Sequence, residues 1–206
     1  MDLMKTFSEI DTTCKRASRA IGFPWGVAEE IGKNMRMLEM FGIPGVNNLI
    51  EYFKIYNENN FQKINLISEK NFSQAKSFCP ITIGLNFLDQ INLLKDSKEI
   101  QFKNVAYPII FLPFISRASE IIGKRIFLTI DEKKFILNFN QTILANSINK
   151  LIIANSNDLI INFLDNNNTF SEENWNDLYE LSKKTFVDET DSLKSSTAGA
   201  GLTDND

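Results

Sequence analysis

The chain contains no histidine. That absence excludes a Ser-His-Asp triad, a Cys-His pair and any histidine metal site, and it removes the commonest general base working near neutral pH. Cysteine is almost as scarce. Cys14 and Cys79 are too few for a disulfide framework, and a tetrahedral zinc site would have to be completed by carboxylates that structural zinc sites seldom use. No metal ligand set is therefore assigned. Long apolar runs are missing too: the most apolar stretch, Pro108 to Ile115, is broken by Pro113 and is far shorter than the roughly 20 residues a membrane helix needs. The start, Met1 to Thr6, lacks the charged-then-apolar form of a secretory signal. The expectation is a cytoplasmic protein with no membrane partner.

Excess charge of one sign is confined to one place. Residues 188–206 hold Asp188, Glu189, Asp191, Asp204 and Asp206 against Lys194, so the net charge of −4 resides there and the remainder is neutral. A neutral body has no concentrated Lys/Arg footprint, so nucleic acid is not an expected partner. With 43% hydrophobic and 23% charged residues over 206 positions, the composition is that of an ordinary globular domain. We read residues 1–187 as a single domain and 188–206 as an acidic, glycine-containing tail, either solvated or folded back on the domain.

Periodicity gives the element order. Leu3, Phe7, Ile10, Cys14, Ala17 and Ile21 recur every three or four positions, predicting a helix over about 2–21 that Gly22 ends. Val27, Ile31, Met35, Leu38 and Phe41 mark a second helix closed by Gly42. Val46, Leu49, Ile50, Phe53 and Tyr56 mark a third after Pro44-Gly45. Residues 57–78 read as irregular. Alternation at Ile81, Ile83, Leu85 and Phe87, and at Ile100 and Phe102, predicts strands, and the apolar stretch from Tyr107 ends as helix at Ile122.

Two hairpins are expected, Arg125–Ile130 with Phe135–Phe139, and Leu151–Ala154 with Leu159–Leu164. Ser171 is a predicted N-cap, with Phe170 and Trp175 as a hydrophobic staple. The last helix then directs Trp175, Leu178, Tyr179 and Leu181 inward and runs to about Lys184. The fold class is α+β: an N-terminal three-helix region, antiparallel strands packed with one central helix, then a C-terminal helix and extended tail.

Two constellations carry candidate chemistry. Arg16 and Arg19 lie off the apolar stripe of the first helix, a short loop from the start of the second at Gly26, where free backbone N–H groups and a positive dipole end favour anions. Glu29 and Glu30 follow, either complementing that dipole and pairing with Arg19 or Lys33, or supplying the acid/base of a histidine-free enzyme. Trp25 is either a buried staple of the helix hairpin or a stacking platform. The second constellation is the tail, where Ser195 to Thr197 with Gly199 and Gly201 form a candidate anion nest. Asp204 and Asp206 with the terminal carboxylate are candidates there for a hard cation such as Mg²⁺. Ordering about ten such residues costs on the order of 10–20 kcal/mol, so a folded-back tail needs a ligand or partner. Cys79, beside Pro80, reads as buried and inert.

The segment Arg19 to Gly32 and the terminus Thr197 to Asp206 together resemble an uncharacterised bacterial family, a domain of unknown function. Its members look like Arg-x-x-Gly-Leu-Pro-Trp-Gly-x-Ala-Glu-Glu-x-Gly near the start and Gly-Ala-Gly-Ala-Gly-Leu-Thr-Asp-Asn-Asp at the end. Leu193-Lys194 stands where the family's pattern resembles a Ser-Arg pair, with Lys194 in place of the arginine. The resemblance implies a role for the tail but no activity or cofactor. The resulting expectation is a soluble protein binding a small anionic metabolite through Arg16, Arg19, Trp25, Gly26, Lys194, Gly199, Gly201 and Asp204. The alternative is a non-catalytic accessory protein whose tail docks into a protein partner.

Overall fold

The computed structural model describes residues 4–138, 140, 142–165 and 167–186. The chain divides into two compact units, residues 1–166 and 167–206.

The first unit is α+β and opens with three helices, α1 (Phe7–Ile21), α2 (Trp25–Met40) and α3 (Gly45–Ile55). Local chemistry sets their ends. Thr6 accepts the Glu9 amide while the Glu9 carboxylate reaches back to the Thr6 amide, a reciprocal capping box, and Gly22 closes α1 with φ 114°. Helix α1 starts at Phe7 among the described residues, and the expected position 3 lies outside them. A β-carbon at Gly32 would sit 2.7 Å from the Asp11 carbonyl oxygen, so glycine there lets α1 and α2 cross closely. Helix α3 lays Leu49 and Tyr52 into the core.

Residues 57–78 are largely irregular, with a 3-10 turn at Glu58–Asn60 and the short β1 (Lys70–Asn71). The alternation predicted as a strand from Ile81 to Phe87 is instead the helix α4 (Pro80–Leu94). Pro80 is pre-organised for a first helical position, the Cys79 sulfur accepts the Thr82 amide, and Pro80, Ile83, Phe87, Ile91 and Leu94 are all buried at helical spacing. Four alternating residues are too short a window to outweigh that longer pattern.

Then come β2 (Glu99–Phe102), β3 (Val105–Ala106), a 3-10 turn at Pro108–Ile110, α5 (Leu112–Ile122), β4 (Arg125–Ile130), β5 (Lys133–Leu137), β6 (Ile143–Ala145), β7 (Asn155–Ser156) and β8 (Leu159–Leu164). Two helices, α4 and α5, therefore accompany the strands where one was expected. The main sheet runs β1-β2-β8-β4-β5-β6 and is antiparallel except for β1 beside β2. The first hairpin forms with a tighter turn than expected, Ile130 pairing Lys133 across Asp131-Glu132, and Asp131 takes φ 49°, a value Asp tolerates better than most residues.

The second expected hairpin does not form. Strand β8 is flanked by β2 and β4, so both its edges are occupied, and Leu151–Ala154 has no lane beside it. Residues 155–156 pair with β3 in a small separate ladder. One face of the sheet, with Ile100, Phe102, Ile126, Leu128, Phe135, Leu137, Leu159 and Ile161, is fully buried. Phe111 stands edge-on to both Phe87 and Phe102 at 5.7 Å, tying α4, β2 and the start of α5 together. Helices α4 and α5 also pack closely, since a β-carbon on Gly84 would lie 2.4 Å from the Phe114 ring.

The second unit's described part holds α6 (Glu172–Lys183). Ser171 caps it by accepting the Asn174 amide, and Phe170 stacks on Trp175 at 5.4 Å, as the sequence predicts. Trp175, Leu178, Tyr179 and Leu181, expected to face inward, are exposed. The helix is held by its own cap and staple.

Candidate anion-binding cleft between two helices

The corner from Arg19 to Gly26 is built as a helix hairpin. Arg19 donates from Nη1 to the Phe23 carbonyl oxygen at 3.0 Å and its guanidinium lies 5.5 Å from the centre of the Trp25 ring, a cation–π contact. The arginine thereby holds the turn that returns α2 along α1. Trp25 is 57% exposed, so it is not a buried staple; the buried Phe23, packed on Tyr56 at 4.5 Å, fills that role. Helix α2 begins at Trp25, one residue before the expected Gly26, and Arg16, Gly26 and Glu29 are exposed. Lys194, Gly199, Gly201 and Asp204 lie outside the described residues.

Glu30 faces another way. Its carboxylate receives Arg117 Nη1 of α5 through one oxygen and Lys33 Nζ at 3.1 Å through the other, realising the expected Lys33 pairing and adding a partner 87 positions away. Burial pushes the Glu30 carboxyl up, but the hydrogen bonds and charges of Arg117 and Lys33 outweigh it and hold the group below the usual carboxylate range. A general base would need the opposite shift. In the structure Glu30 anchors two cations.

Those cations edge a cleft of about 480 Å³ between the C-terminal half of α2 and α5. Lys33, Arg36 and Arg117 line it, with Met37 and Phe41 as an apolar wall. Arg36 is steadied from α1 by Asp11, Nη1 to Oδ2 at 3.4 Å. Three cationic side chains thus meet two carboxylates, and Lys33 and Arg117 share one of them. Arg117 makes a single hydrogen bond among the described residues, although a guanidinium carries five N–H donors. The neighbourhood is cationic and has donors to spare.

Asn34 also lines this cleft. It is 1% exposed, and neither its Oδ1 nor its Nδ2 has a hydrogen-bond partner among the described residues. Burying an unpaired amide costs on the order of 1–3 kcal/mol by mutational measure, so native structures seldom leave both ends of one unsatisfied. Both amide atoms are closed off from solvent as well as unpartnered among the described residues. Sequence reasoning passed over Asn34, although it falls in phase with Val27, Ile31, Met35 and Leu38. Its signal was a polar residue on the apolar stripe.

Cys79, read as inert, is buried, with its Sγ 3.0 Å from the Tyr52 hydroxyl. Burial, with Cys79 as a neighbour, drives the Tyr52 hydroxyl far above its ordinary value. Cys14, between α1 and its neighbours, is pushed up to about 11, chiefly by burial and then by Glu39 and Asp11. Among the described residues no cluster of His, Cys, Asp and Glu could hold a metal ion, and no helix is long and apolar enough to cross a membrane.

Fold and cleft together define an α+β protein with a cationic cavity between helices. Residues 6–78 match the family described as Protein of unknown function (DUF3726), in keeping with the resemblance read from the Arg19–Gly32 segment, which lies inside that span. The match takes in all of α1, α2 and α3, including every α2 residue of the cleft, while Arg117 comes from beyond it. No curated protein and no solved structure matches the chain.

Proposed function

We propose that this protein binds a small anionic metabolite in the cleft between α2 and α5. The observation that carries the reading is the convergence of Lys33, Arg36 and Arg117 on one cleft, where Glu30 and Asp11 steady them. Guanidinium forks match carboxylate and phosphate geometry, and a cavity of this size falls in the range usual for small-molecule sites. The Glu30 bridge fixes the Arg117 and Lys33 head groups before a ligand arrives, which lowers the entropic cost of binding. We place the protein in the bacterial cytoplasm, on its sparing use of cysteine and the family resemblance.

The cleft, rather than the Arg19–Trp25 corner, is the preferred site because Arg19 is already committed to Phe23 and Trp25. Thermal-shift titration of the full-length protein with phosphate and with small di- and tricarboxylates tests the reading. An anion that binds the native state raises the melting temperature by mass action. Arg36→Met and Arg117→Met should each weaken that response about tenfold or more, the loss of a charge-assisted contact. No stabilisation by any anion, or an unchanged response in both variants, contradicts the reading.

A second reading, a non-catalytic accessory protein that docks on a protein partner, draws on the exposed Trp175, Leu178 and Leu181 of α6. Retention of a partner by wild type and its release by Leu178→Glu would favour it.

A further inference from the structure

Helix α6 is 12 residues long and none of them is buried, although helices of that length are marginal in water without a packed face. An apolar face is present: Trp175, Leu178, Tyr179 and Leu181 recur at helical spacing and are exposed, as are Phe170 just before the helix and Phe186 just after it. The pattern mirrors itself about Leu178. Phe170 and Phe186 are equidistant from it in sequence, and so are Trp175 and Leu181; the same mirror carries Glu172 onto Lys184 and Glu173 onto Lys183. A two-fold axis at Leu178 turns these matches into contacts between two antiparallel copies. About three helical turns separate Glu172 from Lys183 and Glu173 from Lys184, so each acid shares a flank of its helix with a lysine, and across such an axis like flanks face each other. Lys183 already pairs with Glu180 at 2.6 Å, an exposed contact that contributes little and exchanges readily.

We infer that α6 is a self-association surface on which a second copy of this chain packs its own α6 antiparallel. Leu178 meets its counterpart on the axis, Trp175 packs on Leu181 of the second copy, and the acidic first turn lies against the basic last turn. Charge selects this occupant and this direction, because parallel copies set acids against acids and lysines against lysines, whereas antiparallel copies oppose them at both ends. Asp177 is the exception: it lies beside the axis and faces its own copy, a rim contact that salt screens. One helix pair is a small interface, at or below the roughly 1,200 Å² low end of specific contacts, so the dimer is weak, with a Kd on the order of 1–100 µM.

Sedimentation velocity of the full-length protein in low salt, from about 1 to about 200 µM, should show monomer giving way to dimer. Leu178→Glu should weaken the dimer at least about a hundredfold, since the substitution counts twice across the axis, and Asp177→Asn should tighten it. The decisive variants are Glu172→Lys/Glu173→Lys and Lys183→Glu/Lys184→Glu. Each alone should self-associate at least about tenfold more weakly than wild type, yet an equimolar mixture of the two should recover wild-type association, because each then meets opposite charge at both ends. Such recovery separates pairing between copies from the milder role of these charges in complementing the dipole of their own helix. Monomer at every concentration overturns the inference, whether α6 then covers its face with another protein or with its own chain. A dimer unaffected by Leu178→Glu overturns it as well, as does a mixture that associates no better than its components.

Discussion

Asn34 and Glu30 lie one helical turn apart on α2 and have opposite energetic characters. Glu30 is satisfied twice over, whereas Asn34 is buried without partners among the described residues. Replacing an unsatisfied buried amide by an apolar group of similar shape removes a desolvation cost. Asn34→Leu should therefore stabilise the protein by about 1–3 kcal/mol, read by urea unfolding; a loss of stability would mean the amide is satisfied in solution. Glu30 behaves conversely. Its folded carboxyl is held below the usual range, so its contribution is fully present above about pH 4.5 and is lost as pH falls through the folded value. The stability gap between wild type and Glu30→Gln should thus shrink from about pH 7 to about pH 3. An undiminished gap would assign the effect of the substitution to something other than the ion pairs with Arg117 and Lys33.

Among elements, the pair α4 and α5 is a tight joint, because Gly84 meets the Phe114 ring where a β-carbon would lie 2.4 Å away. Alanine at a helix interior ordinarily gains up to about 1 kcal/mol over glycine. Here the clash opposes that gain, since Phe114 is fully buried and has little room to yield, and overpacking costs about 1–3 kcal/mol. Gly84→Ala should be destabilising, with a lowered urea midpoint. The variant also probes the cleft, because Arg117 rides on α5 one turn beyond Phe114. A displaced α5 should weaken anion binding as well as stability.

At the scale of the whole molecule, every buried hydrophobic residue described lies between Cys14 and Ile161, and none belongs to α6. The described core thus lies within residues 1–166, the first compact unit. A fragment ending at residue 166 should unfold cooperatively with a melting temperature within a few degrees of full length, roughly the shift expected from about 1 kcal/mol in a domain of this size. Calorimetry on both chains checks this. A fragment that fails to fold would show that residues 167–206 supply stability that their exposed described part does not reveal.

The sequence alone determined α1, α2 and α3, the β4–β5 hairpin and the cap and staple of α6. Each of these is specified within one or two helical turns, by stripe periodicity, by Thr6, Gly22 and Ser171, or by a turn-forming Asp131. The absence of histidine alone already restricted the available chemistry. Local pattern failed at Ile81–Phe87, where alternation over four residues competed with a longer helical register. It failed again at Leu151–Ala154, where strand formation depended on whether β8 still had a free edge, a fact about β2 and β4. The cleft is the same kind of fact. Asn34 was visible as a polar residue in an apolar phase, but an asparagine-rich composition masked it, and nothing near it in sequence announces Arg117. Only the packing of α5 against α2 brings that guanidinium to Glu30 and turns a stripe irregularity into the wall of a cationic site, because burial and charge pairing depend on which surfaces meet in space.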